Sequence, residues 1–332
     1  MTGRTPFESV VACLQGRPPA GADWLDIVEV ANRYLVTPTL FRALEGCEGA
    51  PVPQDALDYL RFIHDRNRER NLRLRAQAVE AIEALNRCHI RPLLLKGACV
   101  LLTSPDDRIG ARLLTDLDIA VSREHLPRAA ACLARLGYEP LPDAVGEHAL
   151  AAFARPDDVG SIDLHFRPPG PEAFHHPDRL AESATVVRVG NGQALLPSPT
   201  FRALHLIVHD MLHDQQTVTG AIDLRHLCDL DELARMPNGI DWGTLAALLP
   251  DGPGRSALHT QLLALRTLFG TRTPLTPWWR IRPFLQHWRR MQQACHPTRM
   301  ELIRTAYRTL YKRPKAFVRT FIPKRTAKRM GG

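Results

Sequence analysis

The sequence predicts an α+β protein, a mixed sheet with flanking helices in its middle portion and an all-helical unit after it. Three observations carry that class. Short apolar runs of strand length cluster between residues 91 and 196, separated by turn residues. On either side of them, apolar residues recur at the three-to-four spacing of a helix. Within the cluster, Gly190-Asn191-Gly192 joins two such runs as a hairpin. At 332 residues and 45% hydrophobic content the chain can bury a sizeable core and form two or three compact units.

Residues 1 to about 68 read as helical. Trp24, Leu25, Ile27, Val28, Val30 and Ala31 recur at helical spacing, and Leu40, Phe41 and Leu44 resume it after a break before Pro38. A turn from Gly46 to Pro53 precedes a helix that runs from Asp55 through RNRERNLRLRAQAVEAIEALNRC. Leu72, Ala76, Val79, Ile82 and Leu85 form its apolar stripe, and the arginine run is expected to be a solvated face. The first strand, Arg91 to Leu95, stops at Lys96-Gly97-Ala98, and a short helix follows from Cys99 to Leu102. The loop SPDDRIGARLLT leads to a second strand, Asp116 to Val121, and REHLPRAAACLARLGYE is a helix stopped at Gly137. Further strands are expected at Tyr138 to Leu141, His148 to Ala154, Ser161 to Phe166, Val186 to Val189 and Ala194 to Leu196. From Pro199 the period is helical throughout. The expected segments are a helical N-terminus (1–68), an α/β core (69–198), a helical domain walling a cleft (199–297) and a basic amphipathic tail (298–332).

The net charge of +8 is unevenly placed. Residues 278–332 hold fifteen Lys and Arg against one acid, Glu301, so the other residues carry 28 basic and 34 acidic side chains, a net −6. A tail that alternates bases with Ile303, Tyr307, Leu310, Tyr311, Phe317 and Phe321 suits an anionic membrane surface, nucleic acid or an acidic protein. Seven scattered cysteines without a C-x-x-C argue for reduced thiols and a cytoplasmic setting. The N-terminus lacks the apolar core of a signal peptide and no run approaches eighteen apolar residues, so the expectation is a cytoplasmic protein, peripheral at most at the inner membrane face.

Chemistry gathers at the ends of the first two strands. Residues two apart on a strand share a face, so Asp116 and Asp118 stand together while Leu117 points into the core. Two such carboxylates repel, and a divalent cation relieves them; Mg²⁺ prefers hard oxygen ligands of this kind, and Mn²⁺ can take its place. The spelling alone is weak, since Asp229-Leu230-Asp231 repeats it in a helical context, where residues two apart diverge and a solvated face is expected. His205, His209 and His213 stack at four-residue spacing as in a zinc helix, but H-E-x-x-H is absent and a packing or cleft-lining role is expected. Walker A, G-x-G-x-x-G and H-R-D signatures are missing, which argues against P-loop hydrolysis, hydride transfer and a protein kinase.

The pattern of an apolar strand, Lys96-Gly97, then Arg112-x-x-Thr115-Asp116-x-Asp118 resembles the nucleotidyltransferase-fold superfamily, and most of all its bacterial branch of uncharacterised nucleotidyltransferase-like proteins. VANRYLVTPTLFRAL, LIVHDMLHD and DLRHLCDLDEL are also similar to that branch, so the resemblance covers roughly the first 235 residues. It implies a polymerase-beta-like mixed sheet and a third acid on a later strand, the place of Asp163 in Ser-Ile-Asp-Leu-His-Phe. Asp116, Asp118 and Asp163 would hold Mg²⁺ and carry catalysis, with Lys96, Gly97, Ala98, Arg112 and Thr115 at the nucleotide. Arg112 would meet a phosphate or fix the acid loop, and His165 and His209 are candidate substrate contacts. Where the wider superfamily follows Gly with Gly or Ser, this chain has Ala98, so a hydroxyl is missing while the backbone amides remain. The implied reaction moves a nucleoside monophosphate from an NTP to a hydroxyl or phosphate acceptor. The alternatives are a non-catalytic nucleotide- or partner-binding relative, and a membrane or nucleic-acid protein driven by its tail.

Overall fold

The computed structural model describes residues 4–47, 49, 51–141, 149–171, 180, 182–249 and 251–298. The basic tail from 299 onward, and His148 at the start of one expected strand, lie outside the described residues.

Three short helices open the chain, α1 (Pro6–Leu14), α2 (Trp24–Arg33) and α3 (Thr37–Leu44). Local signals start the first two. Thr5 and Glu8 cap α1 reciprocally, and the Asp23 carboxylate accepts the amides of Leu25 and Asp26 at the head of α2. The next helix, α4 (Gln54–Arg87), runs unbroken for 34 residues and crosses position 68 without a kink signal. Its arginine run is not the solvated face expected of it. Arg70 donates to the carbonyls of Leu114, Thr115 and Val159, Arg73 to that of Asp157, and Arg75 to those of Leu101 and Ser104. Asn67 donates to Gly110 and Arg112 at 2.7 and 3.0 Å, and the fully buried Asn71 to Ile109 and Arg112 at 2.7 and 2.8 Å. The reason is the loop before the acid strand: it has no ladder of its own, so its carbonyls need donors, and α4 supplies them. Arg66 keeps a surface pairing with Glu69, and Arg75 adds one with the exposed Asp106.

The sheet has seven strands: β1 (Leu93–Leu94), β2 (Asp116–Ala120), β3 (Glu139–Pro140), β4 (Ala149–Ala154), β5 (Ser161–His165), β6 (Thr185–Val189) and β7 (Gly192–Leu196), in the order β3-β4-β5-β2-β1-β7-β6. β2 runs parallel to β5 and antiparallel to β1, which in turn lies parallel to β7. Side chains alternate across it. Leu117, Ile119, Ile162 and Leu164 pack with Leu74 and Ile82 of α4, Leu101 of α5 (Lys96–Thr103) and Leu133 of α6 (Leu126–Arg135) in one core. The residues between them, Asp116, Asp118, Asp163 and His165, therefore belong to the other face. Gly160, just before β5, allows a close approach here: a Cβ on it would stand 2.7 Å from the Thr115 carbonyl oxygen, at the root of β2.

After the sheet come α7 (Pro199–Val208), a single π-type turn over His209–His213, α8 (Gln216–Thr219), α9 (Leu224–Arg235), α10 (Trp242–Leu248), α11 (Pro253–Phe269) and α12 (Ile281–Cys295). They share their core with the N-terminal helices: Phe7, Val10, Leu40 and Phe41 cluster with Leu204, Leu227, Leu262 and Leu265. None of the three opening helices is long enough to bury an apolar face alone, and the C-terminal helices complete them.

The expectation of uniformly reduced thiols is also corrected, because Cys88 and Cys132 form a disulfide. They lie 44 residues apart, just after α4 and within α6, two helices packed side by side; sequence spacing carries no trace of that neighbourhood. Cys13, Cys47, Cys99, Cys228 and Cys295 are free.

Candidate active site

Parallel pairing of β2 and β5 sets Asp118 opposite Asp163, Asp116 opposite Ser161 and Ala120 opposite His165. The carboxylates are thereby brought to one face from two strands. Asp118 is buried, and its Oδ1 accepts hydrogen bonds from Lys96 Nζ and His165 Nε2, both at 2.9 Å. An ionised carboxylate only accepts, so Nε2 of His165 carries the proton. Lys96 sits in the turn from β1 into α5 with φ of +39°, a left-handed backbone that costs energy for a residue with a Cβ. The Leu95 amide, bonded to the Asp118 carbonyl at 3.1 Å, ties that turn to β2.

Electrostatics divide the acids into two kinds. Burial works to raise the Asp118 carboxyl, yet the His165 hydrogen bond and the Lys96 charge hold it well below the usual carboxylate range. Burial would likewise lower the Lys96 ammonium, but Asp118 beside it, helped by Asp116 and Asp163, raises it. At Asp116 and Asp163 the balance goes the other way: burial first, then repulsion from Asp118, raises both carboxyls, against smaller lowering effects of Lys96 on Asp116 and of His165 on Asp163. Ser161 Oγ donates to Asp163 at 3.2 Å. Asp118, Asp163 and His165 each offer a ligand atom, all within 4.8 Å of one another, whereas Asp116 falls outside that grouping. Two acids made costly to ionise by burial and by each other's company fit a hard divalent cation. A cleft of about 770 Å³ lies past the other end of β2, lined by Ala120 and Phe166 with Arg91, Arg167, His89, His125 and Glu124; Asp116, Asp118 and Asp163 do not line it.

A family described as an uncharacterised nucleotidyltransferase matches residues 20–270. The chain belongs to this family. Membership supports a transferase at the level of class, and the matched stretch takes in every strand of the sheet together with α9. No curated protein and no solved structure matches the chain.

The remaining residues of this nucleotidyltransferase family member fall into place unevenly. Gly97 and Ala98 are buried; a Cβ on Gly97 would collide with Leu114, and the Ala98 amide is used by the Leu95 carbonyl at 3.0 Å. Thr115 is exposed, and its hydrogen bond to Asp116 works to lower that carboxyl. The Arg112 guanidinium is taken by Asp229, with Nε 3.0 Å from both carboxylate oxygens and Nη2 2.9 Å from Oδ2. Asp229 is therefore no part of a solvated helix face. It lies on the buried side of α9 among Leu227, Leu230 and Leu233, facing the loop before β2, while Asp231 holds Arg235 and the Thr271 hydroxyl. His209 is not brought to the acids of the sheet. Its Nδ1 lies 3.4 Å from both Asp210 and Asp214, and the fully buried Asp210 accepts from His226 Nδ1 at 2.6 Å. His209, Asp210 and His226, like His209, His213 and Asp214, are spaced as a metal could use them. Sequence reasoning missed Arg225 of α9, whose charge works to lower the Asp116 carboxyl, and the Arg112 partnership, which spans 117 residues. Neither leaves a signal in local spacing.

Proposed function

We propose that the protein is a Mg²⁺-dependent nucleotidyltransferase that moves a nucleoside monophosphate from an NTP to a hydroxyl or phosphate acceptor. One observation supports this above the rest: Asp118 and Asp163 face each other across parallel strands, with Asp116 on the same face. Asp116, Asp118 and Asp163 are the residues that would hold Mg²⁺ or Mn²⁺, which would supply positive charge to offset that of the triphosphate and the leaving pyrophosphate. Lys96 and His165 fix the Asp118 carboxylate in one orientation, so it needs no rearrangement as charge develops. Asp163, whose carboxyl burial and its acidic neighbours raise, takes the proton of the acceptor hydroxyl. The freed oxygen attacks the α-phosphorus, the bridging α–β P–O bond breaks, and pyrophosphate leaves. Arg225, whose charge works on Asp116, is the cation to meet a phosphate by exchanging its single contact with Asp223 at 3.2 Å, whereas Arg112 is held by Asp229 through two of its nitrogens. The basic cleft beyond Ala120 is the space for the rest of the substrates.

A second reading, a relative that binds nucleotide without turning it over, is favoured by the engagement of Asp118 with both Lys96 and His165 and by Ala98. Incubation with each of ATP, CTP, GTP and UTP and Mg²⁺, over a panel of hydroxyl and phosphate acceptors, separates the two. Mg²⁺-dependent pyrophosphate release with at least one NTP is the expected result. Saturable NTP binding with no release for any acceptor would replace the enzyme with the binding protein.

A further inference from the structure

The last described helix is built inside out. In a surface helix of a soluble protein the apolar stripe faces the core and the polar side faces water. On α12 polar residues stand on the inward side beside the buried Pro283 and Ala294: Arg290 is fully buried, donating to the Ala221 carbonyl at 2.9 Å and to the side-chain oxygens of Gln261 and Gln216 at 3.1 and 3.2 Å. Gln286, one turn earlier, donates to the Thr217 carbonyl at 3.1 Å and accepts from the Thr260 hydroxyl at 2.8 Å. The outward stripe is Ile281, Leu285 and Trp288, spaced four and three apart and 62%, 60% and 61% exposed. Trp278 and Trp279, immediately before the helix, are 80% and 65% exposed, so the row continues beyond its N-terminus. Scattered exposed apolar residues are ordinary, but a contiguous row this large with three tryptophans marks a contact surface.

We propose that this row docks the protein on an anionic lipid surface, with the tryptophans at the headgroup boundary. Tryptophan favours that boundary because its ring is apolar and its N–H polar. Charge selects lipid over a second copy of the chain: the stretch of sequence that contains the row, residues 278–332, carries fifteen bases against one acid, so two copies repel through it while an anionic bilayer attracts it. Arg282, exposed within the row, supplies part of that charge within the described residues, while Arg280 is paired with the exposed Asp251 at 2.9 Å. The row also lies after residue 270, where the family match ends. Lipid docking stands or falls independently of the proposed reaction.

The test uses the full, untagged chain with phosphatidylcholine vesicles, with and without phosphatidylglycerol, made in ordinary and acyl-brominated forms. Of the five tryptophans, three lie in the row. The expected result is co-sedimentation with the anionic vesicles alone, a blue shift of tryptophan emission, and quenching by the brominated lipid. The Trp278→Ser/Trp279→Ser/Trp288→Ser variant alters only exposed side chains and keeps the circular dichroism of the parent; its partition is expected to fall about tenfold or more. Failure of the parent to bind would overturn the proposal. So would equal binding by the variant, or binding without quenching, which assigns attachment to charge alone. Concentration-dependent dimers abolished by the triple substitution, without vesicle binding, would assign the row to a second copy.

Discussion

Asp163→Asn is expected to lower Mg²⁺-dependent pyrophosphate release by about a thousandfold or more and to leave the fold intact. The separation of the two effects follows from the surroundings of the side chain. Asp163 is half-buried, and among the described residues its carboxylate accepts a side-chain hydrogen bond from the Ser161 hydroxyl, so an amide of the same shape strands no buried charge. It also removes the repulsion that Asp118 and Asp116 exert on this carboxyl. What it removes is a negative oxygen ligand and the acceptor's proton sink. Asp118→Asn makes the contrast. That substitution leaves Lys96 and His165 without their shared carboxylate, so activity and stability are expected to fall together. Turnover with the preferred NTP and thermal melts of both variants check the pair; an Asp163→Asn protein that melts normally and turns over like the parent would remove Asp163 from the chemistry.

Asp229→Ala is expected to cost about 3–5 kcal/mol of stability, the cost of leaving a buried charge without its partner. The Arg112 and Asp229 side chains are 11% and 8% exposed, and the Arg112 charge is raised further by this pairing once burial is overcome. The Arg112 carbonyl is itself held by Asn67 and Asn71, so the residue joins α4, α9 and the loop that leads into β2. Loss of Asp229 therefore loosens the approach to Asp116 as well as the helical core. Urea unfolding reads the loss. The Arg112→Leu/Asp229→Leu double variant, which removes both charges, is expected to recover part of it. A single variant within about 1 kcal/mol of the parent would show that the pair is screened like a surface ion pair.

The sequence made the sheet legible because its strands are short and bounded by strong turn signals. Asp116 and Asp118 could be placed on one face from the period of two alone, Asp163 only through the family resemblance, and the pairing of β2 with β5 brings the three to that face. Legibility stopped wherever a polar residue is satisfied by something distant. The arginines of α4 looked solvated because their partners are loop carbonyls dozens of residues away. Asp229 looked solvated because Arg112, its partner, is 117 residues earlier. The Cys88–Cys132 pairing depends on two helices lying side by side, and the outward stripe of α12 on which side its polar residues are needed. Periodicity finds an amphipathic helix, but it does not say which face is turned inward.

The most direct measurement is anomalous diffraction from crystals grown with Mn²⁺ and a non-hydrolysable NTP analogue. The expected peak lies about 2.1 Å from carboxylate oxygens of Asp116, Asp118 and Asp163, with the analogue's phosphates on its far side. A bound analogue with no metal at these carboxylates, or a peak only at the histidines around Asp210, would contradict the assignment of the β2–β5 face to nucleotidyl transfer.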